Sequence, residues 1–234
     1  MGNIFTESQE QRDIELAEFC KVPVGTVKNY PIGTQASVQL FKNEDIALQS
    51  YDFIYKNYKY VERVNWLRTC SALTITRRSK YILELVTKIG KLEQQHVLDY
   101  GCGVGSHGIF CAELGATVDF LDVDGPLFDY AKWRIAKRNL KVGKYLYPES
   151  KLTAAHYDAI LCLDVLEHVA DPAGTLSNIA CALKTNGYLL LEVSTIVKPT
   201  SGHFSQSIER WKKHGAVVLR NKFFRISKNL FYKK

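Results

Sequence analysis

The sequence predicts an α/β fold: a mostly parallel sheet with helices on both faces, preceded by an N-terminal, mainly helical extension. Three observations predict it. From residue 78 onward, short buried-type apolar runs alternate with segments of helical periodicity, a glycine-rich turn follows the first such run, and Gly or Pro marks most of the boundaries. At 234 residues the chain has room for one such domain and an extension, divided here into 1–76 and 77–234. Hydrophobic residues at 46% and charged residues at 24% are globular values, which excludes a disordered chain.

In the extension, Ile14, Leu16, Ala17 and Phe19 outline a short helix, and Val22 to Thr34 reads as loop or short strands. Residues 44–68 combine a helical pattern with Tyr51, Phe53, Tyr55, Tyr58, Tyr60 and Trp66, which suits either a cap over a substrate pocket or a plain packing layer. Ser79 then caps a helix with the apolar face Ile82, Leu85, Val86 and Ile89, and Gly90 ends it. His96 to Tyr100 is a strand running into the glycine turn. A helix follows from Ser106 to Leu114, a strand from Thr117 to Leu121, and a helix opened by Pro126 that reaches Lys137. Residues 140–156 are the weakest stretch, with a short strand at Tyr145-Leu146-Tyr147. Tyr157 to Leu163 is a buried strand, Pro172 opens a helix to Leu183, Asn186-Gly187 turns, and Tyr188 to Val193 is a strand. Ser205 to Lys213 suits a helix and Ala216 to Leu219 a strand.

Other classes recede on composition. No apolar run approaches the roughly 18 residues of a membrane span, and the start lacks a signal-peptide pattern, so a cytoplasmic protein is expected. Met1 to Thr6 fits the loose myristoylation pattern, as many unrelated starts do. Cys20, Cys70, Cys102, Cys111, Cys162 and Cys181 are dispersed and never form C-x-x-C, which suits reduced thiols better than disulfides or zinc. The net charge of +7 is concentrated at the end: from Arg210 onward there are nine Lys and Arg residues and no acidic one. That run is either a solvated basic edge or a site for an anionic partner. Phe223, Phe224, Ile226, Leu230, Phe231 and Tyr232, interleaved with it, form either the last strands of the sheet or a membrane-surface helix with peripheral membrane contact.

The chemistry centres on Val97-Leu98-Asp99-Tyr100-Gly101-Cys102-Gly103-Val104-Gly105. Glycine after a strand lets the backbone approach a ligand, and the next helix presents unpaired N–H groups. Gly103 to Gly108 also satisfies the dinucleotide pattern G-x-G-x-x-G, with Asp122 about 20 residues on. That pattern begins two residues late, however, and Asp99 sets a carboxylate where a pyrophosphate would lie. A carboxylate there favours a cationic ligand instead, and S-adenosylmethionine carries a sulfonium and an amino group but no phosphate. Asp122, ending the second strand, can accept hydrogen bonds from both ribose hydroxyls. Asp124, beside Gly125-Pro126, reads as a helix cap.

These segments resemble class I S-adenosylmethionine-dependent methyltransferases of the type 11/12 kind, and in their motifs the O-methyltransferases of ubiquinone biosynthesis. Val97 to Gly105 is similar to the first motif of that family, and Leu121-Asp122-Val123 to its acidic second-strand end. Tyr157 to Pro172 is similar to the fourth-strand motif, and Leu183 to Leu191 to the turn and fifth strand. The resemblance spans residues 78–195 and implies a Rossmann-like, seven-stranded sheet. It places Gly101, Cys102, Gly103 and Gly105 along the methionine part of S-adenosyl-L-methionine, with Asp99 beside them, Asp122 on the ribose and Val123 against adenine. Leu163 and Asp164 fall at the sulfonium side. An Arg upstream, Arg77 or Arg78, would grip the cofactor carboxylate. The acidic residue expected after the third strand is not evident between 140 and 156; Glu149 is a candidate substitute, and how adenine is recognised stays open.

Methyl transfer from a sulfonium needs mainly alignment, and a general base only for a protonated nucleophile. His168, after the fourth strand, and His203, after the fifth, are the catalytic candidates, each with a structural alternative. His107 lies near the cofactor or on the surface. Asp164, Glu167 and His168 could gather a divalent cation, as a similar set does in some quinone-pathway relatives, but they are read here as structural and no metal is assigned. The expected partner is a small-molecule acceptor. Two other readings stay open: an RNA or protein methyltransferase, drawing on the basic end and on Tyr55 to Tyr60, and a cofactor-binding partner without turnover. Oligomeric state is not decided by these residues.

Overall fold

The computed structural model describes residues 8–29, 67, 68, 70, 80–196 and 203–234. The aromatic stretch at 51–66, Ser79, and the Met1 to Thr6 pattern lie outside the described residues. Helix α1 (Gln9–Cys20) starts at a capping box: the Ser8 hydroxyl accepts from Gln11 N–H and the Gln11 side chain accepts from Ser8 N–H. Helix α2 (Val24–Lys28) follows where loop or strand was expected. Pro23 at its N-cap and the burial of Val27 override the β-branched composition there. Helix α3 covers residues 80–89 and ends at Gly90, whose φ of +86° suits the expected stop.

The sheet takes β1 (His96–Tyr100), β2 (Thr117–Leu121), β3 (Tyr145–Leu146), β4 (Tyr157–Leu163), β5 (Leu183–Glu192), β6 (Phe223–Arg225) and β7 (Leu230–Lys233) in the order β3-β2-β1-β4-β5-β7-β6. Strands β1 to β5 are parallel, and β7 enters antiparallel between β5 and β6. The helices between strands are α4 (Ser106–Glu113), α5 (Pro126–Lys137) and α6 (Pro172–Ala182).

Alternation along the strands divides the core into two layers. Val97, Val118, Phe120, Ala159 and Leu161 pack with α3, α4 and α5, whereas Leu98, Ile160, Cys162, Leu189 and Leu191 pack with α6. Burial on both faces is why these strands read as unbroken apolar runs. Strand order reverses between β2-β1 and β4-β5, so the crevice at their carboxyl ends is the natural ligand position.

Several expectations are corrected. Ala216 to Leu219 is not a strand but belongs to helix α8 (Ala216–Lys222), which continues from α7 (Ser205–Arg210) through a π-helical turn at Trp211–Gly215. Gly215 stays right-handed with the Trp211 indole packed on it, so nothing breaks the helix and Val217-Val218 follow it despite their strand propensity. For Phe223 to Tyr232 the first of the two expected alternatives holds: Phe223–Arg225 and Leu230–Lys233 are the last strands of the sheet, β7 pairing with both β5 and β6, which satisfies their backbone. Asn186-Gly187 does not precede β5 but lies inside it, within a register shift in which Asn186 keeps a φ of +67°. In α1, Ile14 is exposed, while Arg12 and Asp13 are buried, Asp13 by a bidentate bond to Arg68 at 2.8 and 2.9 Å.

The packing of α4 on the sheet requires Gly108, where an added Cβ would lie 2.4 Å from Phe120 and 2.9 Å from Asp99 Oδ2. Gly108→Ala is expected to cost about 1–3 kcal/mol by overpacking, read as a lower urea midpoint. An unchanged midpoint would contradict this packing.

Candidate functional site

The glycine turn is held by backbone geometry. Gly101, Gly103 and Gly105 have φ of +71°, +56° and +76°, each in the left-handed region. Gly101 and Cys102 N–H both donate to Leu121 C=O, at 2.8 and 3.0 Å, tying the turn to the end of β2. A Cβ at Gly101 would strike Val165, whereas one at Gly103 would meet nothing within 4 Å. Gly103 therefore borders open space, and its N–H donates to Asp122 Oδ2 at 2.5 Å, while Asp122 Oδ1 accepts from Val123 N–H at 2.7 Å.

Asp99 is buried, and its carboxylate accepts from Gly108 N–H at 2.8 Å in the first turn of α4. Burial pushes its carboxyl up to about 7, offset by the Gly108 bond and reinforced by the charge of Asp122. Burial likewise pushes Asp122 up to about 6, against the Gly103 and Val123 bonds. Two carboxylates short of compensating charge at one turn suit a cationic ligand. With the open face at Gly103 and the hydrogen-bonding edge of Asp122, the residues present fit a ligand bearing an adenosine and a positive centre. Cys102 is buried, and burial, then Asp122 and Asp99, hold its thiol well above the ordinary range, so it is an inert wall.

Val123, Leu163 and Asp164 lie at the same edge of the sheet, at and after the ends of β2 and β4. Leu163 is buried at the end of β4, and Asp164 follows with a φ of +56°, uncommon for a non-glycine residue and characteristic of functional turns. Val123 is half-buried. Glu149 is exposed, and His107 is buried rather than on the surface. Arg77 and Arg78 lie outside the described residues.

His168 and His203, distant in sequence, come together with ring centroids 4.9 Å apart in an edge-to-face arrangement. His203 Nδ1 lies 3.2 Å from Ile196 C=O. Buried Glu167 accepts from Ser194 N–H at 2.8 Å, joining the loop after β4 to the loop after β5. One ligand atom from each of Glu167, His168 and His203 falls within 4.8 Å of the others. This is the group among the described residues that could hold a metal ion, and it contains His203 where the sequence pointed to Asp164. Sequence reasoning missed Ser207 and Arg210, which fix the loop carrying His168 by donating to Val169 C=O at 2.8 Å and Ala170 C=O at 2.6 Å. The pattern Phe204, Ser207, Ile208, Trp211 was the available signal, since it sets Ser207 on the buried face of α7.

The sequence profile of the family described as a methyltransferase domain matches residues 75–224. The chain is 37% identical over 114 residues to a ubiquinone biosynthesis O-methyltransferase from Coxiella burnetii, covering 48% of this chain and 47% of that protein. A protein of the same description from Xylella fastidiosa is 31% identical over 158 residues, 63% of each chain. The chain thus spans about half the length of the first of these relatives and under two thirds of the second. A solved structure from Pyrococcus horikoshii OT3 superposes with a TM-score of 0.51 at 13% identity, covering 82% of this chain and 97% of that one, a likeness of fold. No helix among the described residues is long and apolar enough to cross a membrane.

The two carboxylates set a pH dependence. Unfolded, both groups titrate near 4, whereas folded Asp99 holds its proton to about 7 and Asp122 to about 6. Their contribution to stability is fully present below about pH 4 and lost as pH rises through about 6 to 7. Urea midpoints measured from pH 4 to 8 should therefore decline more steeply for the parent protein than for Asp99→Asn. Parallel profiles would contradict the assignment.

Proposed function

The chain belongs to the methyltransferase domain family, and we propose that it transfers a methyl group from S-adenosyl-L-methionine to a hydroxyl of a small-molecule acceptor. The observation that carries this reading is the Gly103–Asp122 pair: an open glycine face bonded to a carboxylate, with Asp99 behind it. The oxygen acceptor is the extension from the O-methyltransferase relatives. When bound, the cofactor supplies a methyl group on a sulfonium, an already activated leaving group.

In this reading Asp122 exchanges its bond to Gly103 for the ribose hydroxyls, and Val123 lies against adenine. Gly101, Cys102, Gly103 and Gly105 line the methionine portion, whose carboxylate falls to Arg78 or Arg77. Leu163 and Asp164 border the sulfonium side. The acceptor enters between the loops after β4 and β5, where His168 or His203 takes the hydroxyl proton as the oxygen–carbon bond forms and the carbon–sulfur bond breaks, its electron pair returning to sulfur. We assign residues 1–76 to the N-terminal extension and residues 77–234 to the cofactor-binding domain. Six thiols with no disulfide between them support a reducing, cytosolic setting.

A second reading is favoured by the convergence of Glu167, His168 and His203: a divalent cation held there would lower the pKa of the bound acceptor hydroxyl in place of a histidine base. Chelation followed by metal addition separates the two. Loss and recovery of turnover supports the cation, and indifference to chelator supports the histidine.

Calorimetry should find S-adenosylhomocysteine bound by the parent protein and bound about a hundredfold more weakly by Asp122→Ala, which loses two hydrogen bonds to a charged acceptor. Binding of a nicotinamide dinucleotide in its place would overturn the reading. His168→Ala or His203→Ala should lower kcat by about 10²–10⁴ on a phenolic acceptor while leaving cofactor affinity in place. Full activity in both variants would remove the histidines from the chemistry.

A further inference from the structure

The glycine turn is gripped from its other side by a side chain the proposed chemistry does not use. Arg134 of α5 is 1% exposed. Its Nη1 donates to Val104 C=O at 2.8 Å and to Ser106 Oγ at 2.9 Å, one residue either side of Gly105. Its Nε donates to Glu15 Oε2 of α1 at 3.0 Å. The other Glu15 oxygen accepts from Arg138 Nε at 3.0 Å, and Arg138 also reaches Glu113 of α4 at 2.8 Å. Lys137 pairs with Glu18 on the same face of α1. Beneath these ions Leu16 and Ala17 pack with Val104, Leu127 and Tyr130, and Phe19 lies 4.9 Å from the Tyr130 ring.

We propose that α1 is a clamp on the cofactor turn, acting through Glu15 and Arg134, so that docking of the N-terminal helix sets cofactor affinity. A guanidinium buried this deeply depends on its counter-charge. Glu15 is a carboxylate bonded to it, and α1 carries Glu15. With Glu15 neutralised, Arg134 loses much of what holds it against Val104 and Ser106. The peptide between Gly103 and Gly105 is pinned from two sides, Gly103 N–H to Asp122 and Val104 C=O to Arg134. Loosening the second side frees the turn, which must then be ordered again by whatever binds. Linkage is reciprocal: a ligand that orders the turn also holds α1 down by the same free energy. Glu15 and Arg134 are positioning residues in this scheme and touch no reacting atom.

The inference rests on the reading of the turn as the cofactor site, and the test separates the two. Glu15→Gln, Glu15→Asp and Arg134→Lys in the full chain are titrated with S-adenosylhomocysteine by calorimetry, and amide exchange of α1 is followed with and without it. Glu15→Gln and Arg134→Lys are expected to weaken binding about tenfold, the worth of one charge-assisted hydrogen bond. Glu15→Asp should restore part of the loss. Exchange along Gln9–Cys20 should slow on ligand addition in the parent and less so in Glu15→Gln. A folded Glu15→Gln that binds within twofold of the parent overturns the clamp, as does α1 exchange in the parent that ignores bound ligand. Failure of the parent itself to bind overturns the cofactor reading and the clamp with it.

Discussion

The site depends on one backbone constraint: the chain must turn at residues 101–105 through three left-handed positions while remaining bonded to the end of β2. A side chain at such a φ costs about 1–2 kcal/mol, and at Gly101 a Cβ would also enter Val165. Glycine lets Gly101 and Cys102 share the Leu121 carbonyl, and this brings Gly103 N–H onto the Asp122 carboxylate. The start of α4 is set by the same bend, so Gly108 can donate to Asp99 and lie against Phe120. Ligand face, helix packing and carboxylate placement are consequences of a single turn.

That turn brings two carboxyl groups together, Asp99 buried and Asp122 half-buried. Asp99 and Asp122 both titrate above the ordinary carboxylate range, chiefly because burial penalises their charged forms. A protein without a cationic ligand gains little from this arrangement. In the proposed reading a cationic ligand at the turn would offset that penalty, which would link affinity to protonation. Raised carboxyl groups of this kind are common at functional sites.

The loops after β4 and β5 are built differently. Two loops from separate strands are joined by Glu167 to Ser194, and the first is braced by Ser207 and Arg210 from α7. The π-helical turn after α7 is the kind of irregularity often found beside functional loops. The paired imidazoles at 4.9 Å lie where these loops meet. The glycine turn is therefore specified by backbone, and the cluster around His168 and His203 by side chains converging from several elements.

Local signals made much of the fold legible. The bounds of β2, α5 and β4 follow from Thr117 to Leu121, Pro126 to Lys137 and Tyr157 to Leu163, because double-faced burial and a proline start leave their mark in adjacent residues. The glycine turn and Asp122 were readable for the same reason. Where tertiary pairing outweighs propensity, sequence reading failed: Ala216 to Leu219 follows the helix before it, and β7 inserts between β5 and β6 by pairing remote segments. Arg134 and Glu15 stand 119 residues apart, and neither was singled out from the sequence. Their pairing, like the meeting of His168 and His203, was decided only by the folded chain, since a long-range contact depends on how whole elements pack and leaves no periodicity in the residues that make it.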